Sequence, residues 1–293
     1  MVNILSNSFR LVFQRFVPAL ASATLAIVLV GCQREAATPQ AEDHSKHAMG
    51  QGHKDHGGQM ATTSRLMVVT EPATPAANAD TVLSLEIMND ANVRVREFEK
   101  LHDKLVHLIV VRDGLDHFAH LHPDVAADGK LSTTFRFPAA GRYRLYADFQ
   151  AKGGQAMTAT TVLTVAGIAP TAPSLTPDVP GSVSSDGLIA DVAVAGQGLE
   201  RTVTYHLKDA AGMPMTDLQP YLGAMGHLVI IRAESGEYIH AHPKSDRKDR
   251  GEVAFEAHFT GPGLYKAWGQ FQREGRVLTI PGVIDLQLSP DAK

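Results

Sequence analysis

Apolar and polar positions alternate over short distances along most of this chain. Between residues 65 and 167, the segments RLMVVTEP, DTVLSLEIMN, KLVHLIVVRD, LSTTFRFP, GRYRLYADFQ and ATTVLTVAG are rich in β-branched or aromatic residues. Each is bounded by Gly, Pro, Asn or Asp. That pattern predicts strands. Between 182 and 290 a second set follows: GLIADVAVAG, RTVTYHLKD, GHLVIIRAE, GEVAFEAHFTGPG, GLYKAWGQFQ and GVIDLQLS. No sustained helical period appears, and only a turn is expected around Glu97–Lys104.

The two sets are copies of each other. VHLIVVRDGLDHFAHLHP aligns without a gap on GHLVIIRAESGEYIHAHP, and after a two-residue difference FPAAGRYRLYADFQ aligns on FTGPGLYKAWGQFQ. Gly141–Tyr143 and Gly263–Tyr265 share a G-x-Y that suits a tyrosine corner, in which the phenol ties down the backbone before a central strand. Short strands at regular spacing and a repeated corner predict an all-β protein of two tandem immunoglobulin-like β-sandwiches, at 65–167 and 182–290. The four prolines of IAPTAPSLTPDVPG, residues 168–181, predict a semi-rigid linker between them.

The chain has 293 residues, and its beginning belongs to neither repeat. Arg10 and Arg15 precede an apolar run from Val17 to Val30, shorter than the roughly 20 residues of a spanning helix, so residues 1–31 read as a signal peptide. LVGC, ending at Cys32, is similar to the lipobox of bacterial lipoproteins, which implies lipidation of that cysteine and attachment to a membrane surface. Gln33 in place of an aspartate points to the outer membrane, facing the periplasm. Loss of the leader takes the formal charge from −4 to −6, since it carries two arginines and no acid. A mildly acidic protein with no basic stripe gives nucleic acid no purchase. Cys32 is the only cysteine. Disulfides within the chain and a blue-copper thiolate centre are thereby excluded.

Histidines carry the candidate chemistry. In a strand, residues i and i+2 share a face, so His120 and His122 point one way, as do His240 and His242. A turn centred on Asp113-Gly114 would set His107 opposite His120. His227 holds the same place in the second copy, where a two- or four-residue loop keeps the parity and an odd loop would break it. Each triad, His107/His120/His122 and His227/His240/His242, then converges as three imidazoles suited to copper, zinc or nickel. Met225 could add a soft ligand to the second, and His102 or His117 a fourth to the first. His206 and His258 read as ordinary strand histidines. Residues 32–64 lack core-forming content and predict a disordered tether. Its His44, His47, Met49, His53, His56 and Met60 form a His/Met-rich tract that favours metal, thioether selecting Cu(I).

FEKLHDKLVHLIVVRDGLDHFAHLHPD followed by FPAAGRYRLYADF resembles exported bacterial proteins with an immunoglobulin-like domain of the YtkA/FixH-like kind, associated with heavy-metal handling. The resemblance implies a non-enzymatic, metal-associated exported protein and supplies no ligand set. With no carboxylate placed as a general base and no nucleophile motif, an enzyme is not expected. The expectation is a lipid-anchored cell-envelope protein that binds copper, or zinc, for sequestration or delivery, with the membrane and a metal-transport or envelope protein as partners. A scaffold or protein-interaction module without metal is the alternative, and a zinc-dependent enzyme a weaker one.

Overall fold

The computed structural model describes residues 64–177, 182–185 and 188–288, with the backbone alone at 182–185, 240, 242, 245 and 248. The expected signal peptide, Cys32 and the six His/Met positions of the tether lie outside the described residues.

The first repeat contains β1 (Arg65–Glu71), β2 (Asp80–Met88), β3 (Phe98–Glu99), β4 (Val106–Arg112), β5 (Phe118–Leu121), β6 (Asp124–Val125), β7 (Leu131–Arg136), β8 (Gly141–Ala151) and β9 (Ala156–Val165). They run in the order β5-β4-β8-β9-β1-β2-β7-β6, with β3 beside β8. β1 meets β9 in parallel at Arg65 and Thr160, while the other neighbours are antiparallel. The sheet folds over on itself there, so that β1-β2-β7 and β4-β8-β9 enclose one core.

The second repeat contains β10 (Ser182–Ser185), β11 (Leu188–Ala195), β12 (Glu200–Lys208), β13 (His227–Arg232), β14 (Tyr238–Arg247), β15 (Glu252–His258), β16 (Gly263–Arg273) and β17 (Arg276–Leu286). Their order is β10-β11-β12-β15-β14-β13-β16-β17. β14 does the work of β5 and β6 together. It pairs with β13 through Tyr238–His240 and then with β15 from Ala241 onward. Both repeats are immunoglobulin-like sandwiches, and a short 3-10 turn at Lys248–Arg250 is the only helical element among the described residues.

The patterning explains these layers. In β2 the buried Leu83, Leu85 and Ile87 alternate with residues facing outward, as a strand covered on one side requires. Each tyrosine corner is made: Tyr143 Oη donates to Ala139 O at 2.8 Å, and Tyr265 Oη to Gly261 O at 2.7 Å. β4 breaks the alternation, because all seven of its residues are buried. Val106, Leu108 and Val110 enter the core of the first repeat, while Ile109 and Val111 face the other way. β13 repeats this, with Leu228 and Ile230 inward and Val229 and Ile231 outward.

Those outward faces meet. Ile109, Val111, Val229, Ile231, Tyr146 and Trp268 form a third apolar cluster, shared by both repeats. Phe118 lies flat on Trp268, with ring centroids 4.8 Å apart. Tyr146 and Tyr238 mirror that pair at 5.4 Å. Since Phe118 corresponds to Tyr238 and Tyr146 to Trp268 in the repeat alignment, each copy uses the same face against the other, as in an isologous dimer. The segment after β9 follows the seam: Pro170 O accepts from Arg112 Nη1 at 3.0 Å, and Leu175 packs on the shared cluster.

Candidate metal centre

The hairpin that carries the first triad closes with a four-residue loop rather than at Asp113-Gly114. Ile109 stands opposite His120, which sets His107 opposite His122. Arg112 explains the longer loop. Its Nε donates to Asp116 Oδ1 at 2.8 Å across the loop, while Leu115 takes a left-handed φ of 55°. The shift from the expected register is two residues, so the parity survives and the three histidines share a face. In the second repeat Val229 stands opposite His240, again through a four-residue loop.

His107 Nδ1 lies 2.9 Å from His120 Nε2 and 3.2 Å from His122 Nε2. Two nitrogens on one tetrahedral ion, each at about 2.0–2.1 Å, stand about 3.3 Å apart. The outward nitrogens settle the tautomers. Leu101 O can only accept, so His107 Nε2 donates to it at 2.7 Å. Gln270 Nε2 donates to Thr279 Oγ1 at 3.3 Å, which turns Oε1 toward His120, and His120 Nδ1 donates there at 2.6 Å. In neutral rings, His107 Nδ1 and His120 Nε2 are then both lone pairs. Two lone pairs facing at 2.9 Å repel unless a cation lies between them. A carbonyl or amide oxygen behind each ring is also the arrangement that orients metal-binding imidazoles.

A proton is disfavoured as that cation. Burial, with some help from the neighbouring histidines, pushes the pKa of His120 down to about 3. Burial, then His107 and Lys104, takes His122 to about 4. His120 and His122 are therefore neutral, and ready to ligate, at pH 7.

His227 joins the first triad from across the seam. Its ring centroid is 6.2 Å from that of His107, 6.3 Å from His120 and 5.2 Å from His102. Its Nε2 faces Tyr221 O at 3.1 Å, as His107 faces Leu101 O in the equivalent place. Burial foremost, then His102 and His107, lowers its pKa to about 4. Between these rings lies a cavity of about 20 Å³, room for one water-sized particle, with Asp148 and Tyr238 also in its wall. Tyr238 Oη donates to Asp148 Oδ2 at 2.9 Å, and Thr158 Oγ1 donates to Oδ1, so the carboxylate is held from both repeats.

His240 and His242 occupy strand positions in β14, described by backbone alone. Met225 packs on the core of the second sandwich. His117 lines a separate groove with Leu175 and Trp268. His206 and His258 stand near Glu252 and Glu200 in β12 and β15. Asp148, Gln270 and Tyr238 were not anticipated. Their signal was present in the unbroken apolar runs of β4 and β13, which mark strands covered on both faces. Nothing in a linear sequence says that each covers the other.

No curated protein matches the chain. Among solved structures, the Escherichia coli adhesin FdeC is 18% identical, over 78% of this chain and 66% of that one, with a TM-score of 0.26. Invasin, a bacterial integrin-binding protein, is 12% identical over 78% of this chain and 40% of its own, with a TM-score of 0.23. A Ca²⁺-stabilised, ice-binding adhesin of an Antarctic bacterium is 11% identical over 78% and 49%, at 0.25. The chain thus spans under two thirds of each, and likenesses this distant carry no function. A family model described as a domain of unknown function, DUF8832, matches residues 61–167 and again 186–287. The matches cover the first repeat and the second from β11 to β17, and the chain belongs to the DUF8832 family.

Proposed function

We propose that the seam between the repeats binds a transition metal, copper first and zinc second, in a cell-envelope protein that sequesters or delivers the ion. The observation that carries this reading is the pair of inward lone pairs on His107 and His120, 2.9 Å apart, with His122 at 3.2 Å and burial opposing protonation. Imidazole sets of this kind suit copper and zinc. The His/Met tract of residues 44–60 supports copper as the cargo, as a loose collector ahead of the ordered site. The lipobox-like LVGC supports a lipid anchor at Cys32, and the YtkA/FixH-like resemblance of residues 98–124 supports metal handling. The chain's one tryptophan, Trp268, lies in the seam and gives a direct test. Cu(II) titrated into the protein should quench its fluorescence saturably, and His107→Ala with His122→Ala should weaken the effect. Quenching that is absent, or the same in that variant, would refute the reading.

A second reading rests on the seam itself. The paired aromatics, the apolar cluster and the His120–Gln270 and Tyr238–Asp148 bonds join the repeats into one body, which suits a scaffold or interaction module. On that reading the histidines are a polar staple. Replacing all three would then leave envelope-partner binding intact and metal content unchanged.

A further inference from the structure

The histidines divide into two groups by spacing. Within the triad, ring centroids are 5.1, 5.0 and 4.9 Å apart. His102 and His227 are 5.2 Å apart. Two imidazoles on one tetrahedral ion, with bonds of about 2.0–2.1 Å, have centroids roughly 5 Å apart, so both sets show single-ion spacing. The separations that cross between the sets are longer, at 6.1 Å for His102–His107, 6.2 Å for His107–His227 and 6.3 Å for His120–His227.

The ion-sized cavity takes in the whole second set and two members of the first, His107 and His120. His102 and His227 line it together, and Asp148 puts a carboxylate in its wall. His122 is not among its lining residues. Both histidines are set by matching turns. Leu101 and Lys104 exchange backbone bonds at 2.8 and 3.2 Å around His102 and Asp103, whose φ values are 49° and 65°. In the other repeat, Tyr221 and Ala224 bracket Leu222 and Gly223 in the same way. The tips touch, since a Cβ added at Gly223 would lie 3.2 Å from Asp103 Oδ2. A left-handed histidine–aspartate pair costs more backbone energy than the Asn-Gly such a turn prefers, and here it delivers an imidazole onto the partner repeat's histidine.

We propose that the seam holds two metal ions rather than one. The first sits on His107, His120 and His122. The second occupies the cavity on His102 and His227, one ligand from each repeat, with the Asp148 carboxylate balancing its charge. This rests on the metal reading above and adds a second ion that ties the two sandwiches together.

The test is copper content per molecule of the full chain at saturation, after unbound metal is removed, for four proteins. His102→Asn with His227→Gln keeps a residue tolerant of left-handed φ and a donor toward Tyr221 O. His120→Gln with His122→Gln empties the triad. The expected result is one copper fewer than native for each double variant and two fewer when they are combined. If the His102/His227 variant binds as much as native while the triad variant loses one, the second ion is refuted and the metal reading stands. If neither loses copper, both fall.

Discussion

Acidification is the perturbation whose size the structure sets most directly. His120 and His227 have folded pKa values of about 3 and about 4, against an ordinary value near 6.5. The unfolded chain therefore takes up protons first as the pH falls. Stability is complete above the unfolded pKa and is lost progressively as the pH drops toward the folded one. By linkage, each of these histidines costs about 2 kcal/mol at pH 5 relative to pH 8. His122, only partly buried, is screened and adds less than about 1 kcal/mol. The total, about 4–5 kcal/mol, is a large part of the roughly 5–15 kcal/mol that holds a typical protein folded. Asp116, held below the ordinary carboxylate range by Arg112, titrates outside this window. Urea unfolding in the presence of a chelator, followed by Trp268 fluorescence at pH 8, 6.5 and 5, measures the loss. For a urea slope of about 3 kcal/mol/M the midpoint should fall by about 1.5 M. A midpoint independent of pH, or an equal fall in the His120→Gln/His227→Gln protein, would refute the burial of neutral histidines in the seam.

Gln270→Leu removes the acceptor that fixes the His120 tautomer, and copper affinity should fall about 10–100-fold in a fluorescence titration. Tyr265→Phe leaves Gly261 O without its hydroxyl donor and should cost about 1–3 kcal/mol in urea unfolding, with Tyr143→Phe alike at the other corner. Arg112→Leu strands the carboxylate of Asp116 and the Pro170 carbonyl, and should destabilise by about 3–5 kcal/mol in the same measurement. A loss under 1 kcal/mol would show that the loop does not depend on that ion pair.

Strands were legible because a sheet with one wet face writes its alternation into the chain, as β2 does at Leu83, Leu85 and Ile87. The duplication and both tyrosine corners were legible too, being local in sequence. The shared face of His107, His120 and His122 followed from parity, which a two-residue change of register cannot alter. The register itself was misread, because Asp113-Gly114 is a strong turn signal locally and the Arg112–Asp116 pair that overrides it needs the folded hairpin. Two separate triads were expected, one per repeat. The structure also brings His227 within 6.2 Å of His107, which depends on β4 and β13 covering each other, while the side chains of His240 and His242 lie outside the described residues. Gln270 is 150 residues from the His120 ring it orients, a distance no local pattern spans.

Titration calorimetry with copper and with zinc, on a soluble fragment of residues 64–288, tests the central claim most directly, since it removes the His/Met tract. Saturable binding that falls by one ion per molecule in the His107→Ala/His120→Ala/His122→Ala protein is the predicted result. A native fragment that folds, melts cooperatively and releases no heat with either metal would contradict it, and would leave the histidines as the polar staple of a two-sandwich scaffold.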